Sequence, residues 1–216
     1  YRIDSKGNVV YEKFGTTGPS VFSNKLGTVD ITNSGKITLD GDNSLGIYAK
    51  NNSLSATGTN MDYTRIGNSY TKATNKGEIT MSGKNTIGMI TEGGAITNDT
   101  TGKITMNGQE GVAMYGTYGA IDPAIVTAKG LSTNRLSADL VNKGTIELAD
   151  TTTSTPIIGM FTNDADTDIY TSGTINVGKK SYGIYGASNT VTMSGGTINV
   201  GEDGVGIFAT GSSDKK

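Results

Sequence analysis

The densest run of acidic groups in the sequence is Asn163-Asp164-Ala165-Asp166-Thr167-Asp168. Asp164, Asp166 and Asp168 have the alternating spacing that opens an EF-hand calcium loop, and in an extended segment alternate carboxylates share one side. Ile169 stands where that loop needs Gly, and no Glu follows at the twelfth position. A solvated acidic corner is therefore the simpler reading, with calcium the one metal these residues invite. Other chemistry is narrowed by composition. The chain has no Cys and no His, which excludes disulfides, thiolate chemistry, most zinc sites and every His-based triad. Two acid–cation pairs, Asp62 with Arg65 and Asp122 with Arg135, have residue types that could cleave a polysaccharide without His. Neither pair is distinctive, and no cluster of acids and bases recurs along the chain. The residues best suited to binding are Tyr63, Arg65 and Tyr70, and further on Tyr118, Asp122 and Arg135. Tyr and Arg dominate the energetics of protein interfaces, and Tyr also stacks on sugar rings.

These residues must be held by something, and the composition says what. Of 216 residues, 34% are hydrophobic and 32 are Gly, while only 18% are charged and the net charge is −2. Disorder at this hydrophobicity goes with high charge and few β-branched residues. Here Thr, Ile and Val are abundant and there are only three prolines. Short strands joined by tight turns fit that mixture. The balanced charge offers no basic stripe, so nucleic acid is not an expected partner.

One motif recurs six times, roughly Asn-x-Gly-x-Ile-Thr-(Leu/Met)-x-Gly, then a polar turn, then Gly-(Ile/Met)-Tyr. Its leading glycines are Gly35, Gly77, Gly102, Gly144, Gly173 and Gly196, separated by 42, 25, 42, 29 and 23 residues. The short steps define a coil of 23 to 25 residues, and the long ones are a coil plus an insertion. Each coil holds three short strands: Ile37-Thr38-Leu39 is one, Gly46-Ile47-Tyr48-Ala49 begins the next, and Ala95-Ile96-Thr97 represents the third. Strands this short cannot enclose a core as hairpins. Stacked coil on coil, they pair in parallel at roughly 4.8 Å and their aliphatic residues line a continuous interior. The expected fold is an all-β, right-handed parallel β-helix of about seven to nine coils, without a domain boundary. Leucine-rich repeats and propeller blades carry Leu, Trp or His signatures that are absent here.

Asn33, Asn75, Asn98 and Asn142 recur at one corner and are expected to stack as an amide ladder. Tyr48, Tyr115, Phe161, Tyr185 and Phe208 recur at another position. A stacked ladder that stabilises the coils is preferred there to an open stripe for sugars.

Function in a solenoid is sought where the repeat breaks. The insertions, at about 50–72 and 117–140, both follow the Gly-Ile-Tyr strand. The acidic run beginning at Asn163 forms a smaller excursion at the same corner. All three should emerge on one edge. The second insertion carries Ile121, Ile125, Val126 and Leu136, enough apolar content for a packed loop or a short helix, with Ser132 to Val141 the expected helical stretch.

The wording Asn-x-Gly-x-Ile-Thr, then Gly, then Asn-Ser-x-Gly-Ile-Tyr-Ala-x-Asn resembles the repeats of the large monomeric (type V) autotransporter adhesins of fusobacteria. Asn33 to Asn51 carry it best; Asn75 to Met89 and Asn142 to Phe161 carry it with departures, and residues 1–28 match poorly. The resemblance implies a passenger domain at the cell surface, in the outer membrane or secreted, anchored through a C-terminal β-barrel that is absent from this chain. It also implies attachment to a host or bacterial surface protein or glycan receptor. Lack of cysteine fits export. The chain opens Tyr1-Arg2-Ile3-Asp4 without an apolar run, as a mature segment lacking its export signal would. A structural stalk is the nearest alternative, and a polysaccharide-degrading β-helix enzyme a more distant one. No resident cofactor is expected.

Overall fold

The computed structural model describes residues 2–3, 9–10, 30–50, 71–121, 123–130 and 132–211. Two short strands, β1 (Arg2–Ile3) and β2 (Val9–Val10), pair antiparallel with each other. From residue 30 onward the alternation of apolar and polar residues in short words produces three parallel sheets of six strands each. The first sheet contains β3 (Asp30–Asn33), β6 (Lys72–Asn75), β9 (Ala95–Asn98), β14 (Ala138–Asn142), β17 (Thr167–Thr171) and β20 (Val191–Met193). The second contains β4 (Lys36–Leu39), β7 (Glu78–Met81), β10 (Lys103–Met106), β15 (Thr145–Leu148), β18 (Thr174–Val177) and β21 (Thr197–Val200). The third contains β5 (Leu45–Lys50), β8 (Ile87–Glu92), β11 (Val112–Thr117), β16 (Ile158–Thr162), β19 (Tyr182–Ala187) and β22 (Val205–Thr210). Each coil contributes one strand to each sheet, so the chain is a parallel β-helix with three strands per coil. The described residues hold six coils, against the seven to nine expected.

Register explains the core. Ile37, Ile79, Ile104, Ile146, Ile175 and Ile198 are successive strand partners and form one inward isoleucine column. Met89, Met114, Met160 and Ile184 form another, with no exposure to solvent. The end members Ile37 and Ile198 are only partly buried, whereas Ile79, Ile104, Ile146 and Ile175, which have a coil on either side, are fully buried. Each such residue contributes about 1.5–3 kcal/mol relative to exposure.

Corners follow from Gly and Asn. At Gly77 an added Cβ would overlap the Gly35 carbonyl of the coil below, so only Gly lets the backbones approach this closely. Asn43, Asn85, Glu110, Lys180 and Asp203 turn the corner from the second sheet to the third with φ of 55–60°. The Asn ladder forms as expected. Asn33 Nδ2 donates to Asn75 Oδ1 at 2.8 Å, Asn75 Nδ2 to Asn98 Oδ1 at 2.9 Å, and Asn98 Nδ2 to Asn142 Oδ1 at 2.9 Å. Asn75, Asn98 and Asn142 are fully buried, and the ladder, with Thr171 Oγ1 accepting from Asn142 Nδ2 at 3.4 Å, satisfies their amides.

The second insertion leaves the coil after Thr117 and returns at Ala138. It comprises β12 (Gly119–Ala120), the helix α1 (Pro123–Lys129) and β13 (Arg135–Leu136), with β12 and β13 antiparallel. The helix is thus not where the sequence placed it. The end of Ser132–Val141 belongs to β14, where Ala138, Leu140 and then Asn142 face inward and Asp139 and Val141 outward, a period of two that belongs to the coil. Pro123 instead starts α1, and Gly130, at φ +60°, follows its last residue in the left-handed conformation.

Candidate binding surface

Three features converge near the edge between the third and first sheets. The first is the outer face of the third sheet. Beside an outward polar column that includes Lys50, Glu92 and Thr117, it carries two parallel columns that run through all six coils. Tyr48, Ile90, Tyr115, Phe161, Tyr185 and Phe208 are register partners in one. Leu45, Ile87, Val112, Ile158, Tyr182 and Val205 are register partners in the other. Every member is apolar or aromatic and every one is partly or fully open to solvent. The equivalent columns of the second sheet are Lys, Glu and Thr in the first four coils, with Thr and Asn in the last two. The first sheet presents chiefly Thr and Asp, with Ala95, Val141 and Tyr170 as its apolar members. One outer face of three is therefore an apolar band.

The aromatic column is a ladder. Tyr115 and Phe161 lie 5.3 Å apart at 19°, and Tyr185 and Phe208 lie 5.0 Å apart at 28°. Phe161 meets Tyr185 edge-on at 5.3 Å. Rings stacked on one another turn their faces to each other and leave edges outward, which is unfavourable for sugar stacking and suited to packing against protein. The adjacent column was not foreseen. Its signal is present, since the residue before each Gly-(Ile/Met)-(Tyr/Phe) word is Leu45, Ile158, Tyr182 or Val205, and Ile87 precedes the Gly-Met-Ile variant.

The second feature is the root of the insertion. Arg135 lies 4.1 Å over the Tyr118 ring and its Nη1 donates to Asp166 Oδ2 at 3.0 Å, with Asp164 Oδ1 at 3.6 Å. Asp164, only 7% exposed, accepts the Tyr118 backbone N–H at 2.6 Å, the Thr117 hydroxyl at 3.3 Å and the Asp166 N–H at 3.1 Å. Tyr118, Arg135, Asp164 and Asp166 thus come together, and they spend their contacts tying the insertion to the next coil. Asp168 points to different partners, accepting from Thr190 N at 3.2 Å and the Tyr170 hydroxyl at 3.3 Å. Among the described residues no group of three or more acidic side chains is gathered for a metal ion. Tyr63, Arg65, Tyr70 and Asp122, and with them the acid–cation pairs Asp62/Arg65 and Asp122/Arg135 as pairs, lie outside the described residues.

The third feature is electrostatic. Glu92, beside the band, accepts a hydrogen bond from the Tyr48 hydroxyl and sits 2.7 Å from Lys50 Nζ. Burial pushes the Glu92 carboxyl up, but the hydrogen bonds from Lys50 and Tyr48 outweigh it and hold the group below the usual carboxylate range. Asp139 behaves oppositely. Burial, and then the charge of its strand partner Asp168, push its carboxyl up. Tyr115 is likewise raised, by burial first and then by Asp164 and Glu92.

Comparison with protein-family models, with curated proteins and with solved structures returns no match.

Proposed function

We propose that this chain is a segment of a cell-surface adhesin, a rigid solenoid that carries a receptor-binding face and is held at the outer membrane through a part of the protein outside this chain. One observation carries the reading: the apolar band of Tyr48, Ile90, Tyr115, Phe161, Tyr185 and Phe208, with its neighbouring column, on one outer face of three. Extended apolar faces on a soluble surface mark interaction sites. The edge-out stacking of the rings favours a protein receptor on a host or bacterial cell over a glycan. The second insertion, rooted at the neighbouring corner, would frame that face.

The test is binding of the purified chain to bacterial and host cells beside an Ile90→Thr, Tyr115→Thr variant. Both positions point outward, and Thr keeps the strand propensity. The expected result is a folded variant, by circular dichroism, that no longer binds. A folded variant that binds like the parent removes the band as the receptor face. A folded parent that binds neither kind of cell replaces the adhesin with a structural stalk, for which six uniform coils are also suited.

A further inference from the structure

One corner of the fourth coil breaks a rule that the other five coils keep. Elsewhere the chain crosses from the second sheet to the third in four or five residues, at 40–44, 82–86, 107–111, 178–181 and 201–204. Each of those crossings turns on a residue of positive φ, namely Asn43, Asn85, Glu110, Lys180 or Asp203. Between β15 and β16 the crossing takes nine residues, 149–157, and none of them has a positive φ. It contains Thr151-Thr152-Thr153-Ser154-Thr155, the longest run of hydroxyl side chains in the sequence, followed by Pro156. Hydrogen bonds fix the root of this loop from both neighbouring coils. Below it, Gln109 Nε2 donates to the Asp150 carbonyl at 3.0 Å, and Gln109 Oε1 accepts the Thr152 N–H at 2.8 Å. Above it, the Lys179 N–H donates to Asp150 Oδ1 at 2.7 Å, and the Thr151 N–H donates to the Lys179 carbonyl at 2.7 Å. Buried Thr151 closes the neck: its Oγ1 accepts the Ile157 N–H at 3.1 Å and lies 2.9 Å from Ser181 Oγ. The tip is left outside. Thr152, Ser154 and Thr155 are exposed, and among the described residues no hydrogen bond engages their hydroxyls. Thr153 turns its hydroxyl back onto the Thr155 carbonyl at 3.0 Å, and Pro156 holds Thr155 extended.

We propose that this loop is an acceptor site for O-linked sugar, at Thr152, Ser154 and Thr155. The side-chain types sort its uses. Ser and Thr are under-represented among the residues that carry binding energy in protein contacts, and 151–157 hold no aromatic and no charged residue. A metal ion needs carboxylates, and the one beside the loop, Asp150, already accepts the Lys179 N–H. What remains is the chemistry of the hydroxyls themselves. Ser- and Thr-rich segments with Pro are the composition that carries O-glycans. Position adds to composition. Outward threonines such as Thr80 and Thr105 sit in strands paired on both edges, and their backbone cannot be drawn into a transferase cleft. The loop tip lies outside every sheet. The donor is a nucleoside-diphosphate sugar. The Thr or Ser oxygen bonds to the anomeric carbon, the bond from that carbon to the phosphate oxygen breaks, and the nucleoside diphosphate leaves. The hydroxyl proton passes to a base of the transferase. A phosphoryl group at the same oxygens would set negative charge near Asp150, while Lys179 is already paired with Glu202. A neutral sugar meets no such repulsion.

Tryptic mapping by mass spectrometry, on the chain recovered from the cells that make it natively, tests this. No Lys or Arg lies between Lys143 and Lys179, so the whole loop travels on the peptide 144–179. The expected result is that peptide with one or more added glycosyl masses, placed on Thr152, Ser154 or Thr155 by electron-transfer fragmentation. A Thr152→Ala, Ser154→Ala, Thr155→Ala variant made in the same cells should lose them, because the root bonds of Thr152 run through its backbone and stay in place. An unmodified peptide from the native cells overturns the proposal, as does a phosphoryl mass in place of a sugar. A sugar found only on strand residues such as Thr145 or Thr174, or one that persists in the triple variant, overturns it too. Should the variant not fold, fragmentation of the parent peptide decides alone.

Discussion

Arg135, at the far end of the second insertion, reaches Asp166 of the following coil, Nη1 to Oδ2 at 3.0 Å, while its guanidinium lies 4.1 Å over the Tyr118 ring. The loop is therefore clamped where it leaves the coil and where it returns. Asp164 stands between the two roots and bonds both to the backbone of Tyr118 and, at longer range, to Arg135.

Asp164 and Arg135 should not be equivalent in this clamp. Asp164→Ala removes charge-assisted bonds to two N–H groups and a hydroxyl, and should cost about 3 kcal/mol or more. Arg135→Ala removes a half-exposed ion pair and a cation–π contact, and should cost less than Asp164→Ala. Urea unfolding of both variants, with hydrogen exchange at the Tyr118 amide, measures the difference. Equal losses would mean that the salt bridge, and not the backbone bonding, holds the root.

The amide ladder should be most sensitive in its middle. Asn98→Ala strips a partner from Asn75 Nδ2 and from Asn142 Oδ1, both buried, at about 1–3 kcal/mol for each group. Asn33→Ala, at the part-exposed end, should cost less. Denaturation midpoints of the two variants would reverse this order only if the ladder contributes nothing.

Corner glycines and the loop glycine should separate by mechanism. At Gly108 a Cβ would overlap the Gly83 carbonyl below, so Gly108→Ala must displace backbone, at about 3 kcal/mol or more. At Gly130 nothing lies within 4 Å and only the φ of +60° is unfavourable for Ala, at about 1–2 kcal/mol. Thermal unfolding of the two variants that showed similar losses would contradict the tight coil spacing.

Acid should weaken the Lys50–Glu92–Tyr48 contact in a defined window. Glu92 has its carboxyl lowered in the folded chain relative to the ordinary 4.5, so its contribution is present above that value and is lost as pH falls through the lower folded value. Glu92→Gln should thus be less stable than the parent at neutral pH, by no more than about 1 kcal/mol, with the gap closing below pH 4.5. A gap that is constant through the acid limb would show that the hydrogen bond from Tyr48, and not the charge, does the stabilising.

By itself the sequence determined the coil. A repeat of 23 to 25 residues with alternating Ile-Thr-Leu words leaves little freedom, because a one-residue slip would turn the isoleucine column of Ile37, Ile79 and Ile104 out to solvent. The same periodicity placed the Asn ladder and the aromatic column. Only the tertiary structure decided what lies outside the period. The helix sits at Pro123–Lys129 and not at Ser132–Val141, because β14 is claimed by its neighbours β9 and β17. Tyr118, Arg135, Asp164 and Asp166 meet for the same reason, since contacts between an insertion and the next coil are set by packing across 31 or more residues and leave no repeat to read. The apolar band needed both: sequence supplies its residues coil by coil, but only stacking shows that they share one outer face.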